Sequence, residues 1–117
     1  MVYMSYFGNP FLRSIDANLQ VAISLKVPAD FRGSHHFKDL APAWSTLQSY
    51  KVNGDYLEYV KDYCKTRLSR LDVAHVAQEL DGKIILCYEK PGPNVFCHRL
   101  IVQKWLWKNG YECKEIR

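Results

Sequence analysis

Short runs of apolar, β-branched and aromatic residues recur along the chain at positions 2–7, 21–25, 83–89 and 111–116. Runs of this length and composition, bounded by turn residues, are typical of β-strands. The third run, KIILCYE, is apolar on both alternating sets of positions. This pattern predicts a strand that is covered on both faces, as the central strands of parallel sheets are.

Helical spacing of apolar residues appears between these runs. Trp44, Leu47 and Tyr50 predict a helix that begins near Pro42, with Trp44 in the core. Asp55 and Asp72 are placed to cap two further helices, and Asn94 to cap a fourth. The helix capped by Asp55 carries an apolar stripe that we predict to be buried, formed by Leu57, Val60, Cys64, Leu68 and Leu71. On the last helix one face is shared by Cys97, Leu100, Ile101, Lys104 and Trp105.

Strands that alternate with helices indicate an α/β fold. We predict a small single domain over residues 1–117, with a mostly parallel sheet of about four strands and flanking helices. Residues 11–18 suit a helical turn or a loop, whereas residues 28–37 (PADFRGSHHF) predict a loop after the second strand. Loops in this position often carry functional residues.

Composition agrees with one globular domain, because 48% of the 117 residues are hydrophobic and 24% are charged. No apolar run approaches the roughly 20 residues of a membrane span, and no signal peptide is visible, so we expect a cytoplasmic protein without a membrane partner. The net charge of +4 mildly favours anionic partners. Thiols stay reduced in the cytoplasm, so the four cysteines are expected to be unpaired core, metal-binding or reactive groups.

The tripeptide Cys97-His98-Arg99 falls where the helix after the most buried strand begins. Ligands of open parallel sheets bind at this edge, where helix amides favour anions and lower the pKa of a cysteine. Arg99 could add a fork of donors and His98 a proton carrier. Successive helical residues point about 100° apart, so the three can act together only if part of the tripeptide precedes the helix.

The segment LCYEKPGPNVFCHRLIVQKWL resembles the signature of the "domain of unknown function 488" family, in which Cys-x-Glu-Lys precedes Cys-His-Arg. The segments YMSYF, AISLKVPADFRG and KDLAPAW resemble the first strand, the next strand and loop, and the next helix of its short members. The spacer at residues 91–96 is longer than in the family pattern. The resemblance covers nearly the whole chain. It implies a compact α/β fold and one pocket, formed by Cys87, Glu89, Cys97, His98, Arg99, Ser5 and Arg32.

Three functions remain open at this pocket. The first is binding of a small anionic ligand, a nucleotide or a nucleic acid, with Arg99, Cys87, Arg32 and Ser5 as contacts. The second is a thiol-dependent enzyme in which Cys97 is the nucleophile toward a phosphate- or nucleotide-containing substrate and His98 or Glu89 moves a proton. The third is a metal site built from Cys87, Cys97 and His98 with His35 or His36. No cofactor is predicted. In the first two of these functions no residue is assigned as a metal ligand.

Overall fold

A computed structural model describes residues 1–33, 35–90 and 96–116. Within these ranges the chain forms five strands, β1 (Val2–Tyr6), β2 (Gln20–Ala22), β3 (His35–His36), β4 (Ile84–Cys87) and β5 (Cys113–Glu115). It also forms four α-helices, α1 (Trp44–Asn53), α2 (Tyr56–Thr66), α3 (Val73–Glu79) and α4 (His98–Lys108). The predicted small α/β domain is confirmed.

All described strands are parallel and lie in one sheet with the order β3-β2-β4-β1-β5. The central strand β4 is buried along its whole length, as its apolar composition predicted. His35–His36 was predicted to lie in a loop, and this was wrong. The two residues pair with Val21 and Ala22 and add a fifth, two-residue strand at the edge. A strand of two residues is too short to leave a periodic pattern in the sequence.

The order of the strands decides which face each connection covers. The helical connections β3 to β4 and β4 to β5 cross the sheet in one direction, whereas β1 to β2 crosses in the other. Right-handed crossovers therefore place α1–α4 on one face and the connection after β1 on the opposite face. That connection forms two 3-10 turns, Pro10–Ser14 and Ala17–Leu19, which settles residues 11–18 as turns.

Two apolar clusters follow from this layering. The larger one joins the four helices to the β4 residues Ile85 and Cys87. The smaller one joins the alternate β4 residues Ile84 and Leu86 to Leu12 on the opposite face. Alternate residues of a strand point to opposite faces, so the same four-residue strand serves both clusters.

Side-chain caps begin two helices at the predicted residues. Asp55 accepts a hydrogen bond from the backbone N–H of Glu58, and Asp72 accepts one from Ala74. The predicted cap Asn94 lies outside the described residues. Helix α4 begins at His98, with Cys97 as an extended N-cap residue. Cys97 therefore precedes the helix, which is the arrangement that the tripeptide required.

The predicted helix faces were partly wrong. Trp44 was expected in the core but is 56% exposed, and Leu57 of the α2 stripe is 67% exposed. Helix α2 instead buries Tyr59 and Tyr63, whose large rings fill the space above the sheet. On the face of α4 that Lys104 shares with Ile101, Lys104 is exposed. The buried residues of α4 are His98, Arg99, Ile101, Val102 and Leu106.

The exposure of Leu57 can be tested against a matched core leucine, Leu80, which is 1% exposed. We expect Leu57→Ala to change the free energy of unfolding by no more than about 0.5 kcal/mol. Leu80→Ala removes buried methyl groups and leaves a cavity, so it should cost about 2–5 kcal/mol. Urea unfolding of both variants measures the difference, and equal losses would contradict this assignment of the core.

Candidate functional site

The candidate site lies at the carboxyl end of β4, where the connections of neighbouring strands leave opposite faces of the sheet. Strands β1 and β2 flank β4, and both connect across the face opposite to α4. Such reversals open a crevice at the carboxyl edge of a parallel sheet, and ligands bind there in α/β proteins. Cys87 ends β4 at this edge, and Cys97 begins α4 above it.

Cys87 and Cys97, which are ten positions apart in the sequence, form a disulfide bond. Both residues are buried, with 1% and 3% of their surface exposed. The expectation of four unpaired thiols is therefore wrong for this pair, because Cys97, the residue before α4, lies against the end of β4. Cys64 and Cys113 are free and lie elsewhere, on α2 and β5.

His98 is the first residue of α4 and is 6% exposed. Its Nε2 lies 2.7 Å from the carbonyl oxygen of Ile23, and its Nδ1 lies 3.8 Å from the sulfur of Cys97. A carbonyl only accepts hydrogen bonds, so Nε2 carries the proton and Nδ1 presents a lone pair to the sulfurs. Burial lowers the pKa of His98; the hydrogen bond to Ile23 opposes this shift and the charge of Arg99 adds to it, which leaves a pKa of about 4. The imidazole is neutral at pH 7.

Arg99 points into the protein and is 1% exposed. Its Nε donates a hydrogen bond of 3.1 Å to the carboxylate of Glu115 on β5. Its Nη1 donates to the sulfur of Cys87 at 3.0 Å. The sequence predicted Arg99 as a contact for an anionic ligand; the structure places the guanidinium against Glu115 and Cys87. The positive charge of Arg99 therefore lies next to the sulfur of Cys87.

A cavity of about 240 Å³ adjoins these residues, and we call it the Trp44 cavity. Its wall includes three predicted site residues, Cys87, Glu89 and His98. The ammonium groups of Lys26 and Lys51 each lie 6.0 Å from the centre of the Trp44 ring. The full lining is Ser24, Leu25, Lys26, Pro42, Trp44, Leu47, Lys51, Cys87, Tyr88, Glu89 and His98. Two cations and one carboxylate give this wall a net positive charge.

Two predicted residues lie away from this cavity. Ser5 is fully buried, donates to the carbonyl oxygen of Ile116 at 2.9 Å and accepts from the amide of Asn9 at 3.0 Å. Arg32 lines a separate cavity of about 290 Å³, next to Phe31, Leu12 and Leu86 of the smaller cluster. The sheet therefore separates Arg32 from the cysteine pair.

The two histidines of the alternative metal set also lie apart from the cysteines. His35 is exposed on the edge strand β3, and the Nε2 of His36 lies 2.6 Å from the carbonyl oxygen of Ser24. Strand β2 lies between β3 and β4. Among the described residues, the potential metal ligands that cluster are Cys87, Cys97 and His98 alone.

Sequence reasoning missed Lys26, Lys51 and Trp44. Lys26 follows the predicted second strand directly, so its position at the carboxyl edge was a usable signal. Trp44 was assigned to the core from its spacing with Leu47 and Tyr50. It is the first residue of α1, where the helix leaves the sheet edge and its outer face meets solvent.

No family model, no curated protein and no solved structure matches this chain. The family resemblance of the sequence stays a prediction. Within the part of the chain that the structure describes, no helix is long and apolar enough to cross a membrane.

Proposed function

We propose that this protein is a thiol-dependent enzyme whose Cys87–Cys97 pair exchanges with the disulfide bond of a small anionic substrate. The observation that carries the proposal is the meeting of the two sulfurs at the carboxyl edge of the sheet, with Cys87 on the wall of the Trp44 cavity. Two neighbouring cysteines that alternate between the dithiol and the disulfide form can transfer two electrons to a substrate.

The Trp44 cavity supports a small anionic substrate. Lys26 and Lys51 supply two positive charges against the single carboxylate of Glu89. Trp44 is 56% exposed between the lysines and offers an apolar ring to a flat part of the substrate. At about 240 Å³ the cavity is smaller than ordinary ligand pockets, which hold roughly 300–1,000 Å³, and this favours a small molecule over a polymer.

Cys87 is the attacking residue in this proposal, whereas the sequence predicted Cys97. Cys87 lines the cavity, and Cys97 is not among the described residues that line it. The guanidinium of Arg99, 3.0 Å from the sulfur of Cys87, favours the thiolate over the thiol. Cys97, at the N-cap of α4, is the second, resolving thiol, and the neutral His98 can accept its hydrogen bond.

The reaction balances without a further oxidant. The reduced Cys87 thiolate attacks one sulfur of the substrate, forming a mixed disulfide while the substrate's S–S bond breaks and the first thiolate leaves. The Cys97 thiolate then attacks the sulfur of Cys87, which releases the second substrate thiolate and forms the Cys87–Cys97 disulfide. Solvent protonates the leaving thiolates. The substrate gains two electrons, and the cysteine pair loses them.

Exchange kinetics with two aromatic disulfides test the proposal. The probes are dithiobis(nitrobenzoate), which is anionic, and dithiodipyridine, which is neutral. We expect the reduced protein to react rapidly with both, and Cys87→Ser to lose this phase. Cys97→Ser should instead accumulate a mixed disulfide on Cys87, which mass spectrometry detects. Cys64→Ser is the matched control and should react like the parent protein, because Cys64 lies outside the site.

The lysines provide a separate test of substrate charge. Replacing Lys26 and Lys51 by alanine should slow the anionic probe roughly tenfold at low ionic strength, because the attraction that concentrates anions at the site is lost. The neutral probe should be unaffected. A rapid phase that survives Cys87→Ser would overturn the role of the pair, and equal slowing of both probes would overturn the anionic substrate.

A further inference from the structure

Cys87, Cys97 and His98 also have the composition of a metal site. The two sulfurs and one imidazole nitrogen lie within 4.8 Å of one another, and all three residues are buried. Thiolate sulfur and neutral imidazole are the donors that zinc and related divalent ions prefer in proteins. We propose that the reduced protein binds one zinc-type divalent ion through the Sγ atoms of Cys87 and Cys97 and the Nδ1 atom of His98.

Two distances already suit an ion. Zinc bonds of about 2.3 Å to sulfur and about 2.1 Å to nitrogen place tetrahedral S and N ligands about 3.6 Å apart. The sulfur of Cys97 and Nδ1 of His98 are 3.8 Å apart. The Cα atoms of Cys87 and Cys97 are 7.4 Å apart, farther than the roughly 4.4–6.8 Å that disulfides usually span. Once reduced, the two sulfurs can therefore separate around an ion by side-chain rotation.

The surroundings of the three donors orient them toward a shared ion. The hydrogen bond from Nε2 of His98 to the Ile23 carbonyl, 2.7 Å long, fixes the ring and leaves Nδ1 as the ligand atom. Metal-binding histidines make such an outer hydrogen bond almost without exception. Arg99 donates to the sulfur of Cys87 while its charge is balanced by Glu115. Two thiolates balance the charge of a divalent ion, so the buried site would be neutral.

The fourth position would face the Trp44 cavity, because Cys87 and His98 both line it. An external ligand, water or the carboxylate of Glu89 could complete a tetrahedron there. Three protein ligands and one open position are typical of zinc sites that meet a substrate. The inference requires the reduced cysteine pair but not the exchange activity proposed above, and a bound ion would occupy both sulfurs and block that exchange.

Titration of the reduced protein with Co²⁺, followed by displacement with Zn²⁺, tests the site. We expect one Co²⁺ per chain, with thiolate-to-cobalt charge transfer and the visible bands of tetrahedral cobalt. The disulfide form of the same chain should give neither signal, and reduction should restore both. This comparison needs no variant, so it holds even where a cysteine substitution prevents folding.

Variants identify the ligands. His98→Gln should lower the affinity for Co²⁺ at least tenfold, because one of three protein ligands is lost. Cys64→Ser should leave affinity and spectrum unchanged, and circular dichroism verifies that both variants are folded. Reduced protein that binds no Co²⁺, or binds it equally well after oxidation or in His98→Gln, would overturn the proposal. Exchange kinetics on the same samples are a separate readout, so failure of the metal site and failure of the exchange activity are distinguishable.

Discussion

Arg99→Met is expected to destabilise the protein by about 3–5 kcal/mol, because it leaves the Glu115 carboxylate without its cation. Side-chain exposures of 2% for Arg99 and 14% for Glu115 make this a largely buried ion pair. Removing one partner of such a pair leaves a charge that has lost both its solvent and its counter-ion. The methionine has a similar length and fills the space, so the loss reflects charge more than packing.

A matched double variant separates these causes. Arg99→Met combined with Glu115→Leu removes both charges, and we expect it to recover most of the lost stability, since buried ion pairs can often be replaced by apolar residues at little cost. The exposed pair His75–Glu79 is the control. Glu79→Gln should change the free energy of unfolding by less than about 1 kcal/mol. A similarly small loss for Arg99→Met would contradict the buried pair.

The second large effect is a loss of stability in mild acid that originates at His98. Its pKa is about 4 in the folded protein, against the ordinary histidine value of 6.5 that holds in the unfolded chain. Between these values the unfolded chain binds a proton that the folded protein excludes, so stability falls as pH falls from 6.5 to 4. Above pH 6.5 both states are neutral and the contribution is fully retained. The difference between the two pKa values corresponds to about 3 kcal/mol.

Burial is the principal cause, and the groups around the ring determine the remainder. Arg99 disfavours a second positive charge, whereas the Ile23 carbonyl favours one. The ring of Tyr63 packs edge-on against the imidazole, with the ring centres 5.6 Å apart. Tyr63 is itself neutral, because burial raises its pKa well above the ordinary value. Glu89 lines the same cavity as His98 but is not among the groups that shift the pKa of His98.

Denaturant unfolding of the disulfide form, with a chelator present, measures this effect. The free energy of unfolding should fall more steeply between pH 6.5 and pH 4 in the parent protein than in His98→Gln, which has no proton to gain. His75→Gln is the control, because His75 is 66% exposed on its side chain and should not alter the slope. Equal slopes in the parent protein and His98→Gln would contradict the assignment.

Much of the fold could be predicted because it depends on local pattern. The strand at residues 84–87 is apolar on both alternating sets of positions. Because these two sets point to opposite faces of the sheet, the local sequence is enough to indicate that both faces are covered. The caps Asp55 and Asp72 act on amides two or three residues away, so their effect is visible in the sequence. The fifth strand, His35–His36, depends on pairing with β2 and has no local pattern of its own.

The same distinction applies to the candidate site. The edge of the sheet, the helix start and the residues Cys87, Glu89, Cys97 and His98 could be identified from the sequence. The direction of each side chain could not. Arg99 turns toward Glu115 sixteen positions away, Arg32 falls on the opposite face, and Trp44 turns outward. Each of these depends on which element packs beside it.

By itself, the sequence determined an α/β domain with its candidate site residues at the carboxyl end of one buried strand, because periodicity and caps are properties of neighbouring residues. Only the tertiary structure decided that Cys87 and Cys97 are bonded to each other and that His98 presents its Nδ1 atom to them. It also decided that two lysines and Trp44 line the adjoining cavity. These are contacts between segments distant in the chain. Strand order and crossover direction determine these contacts, and neither can be predicted from a local stretch of residues.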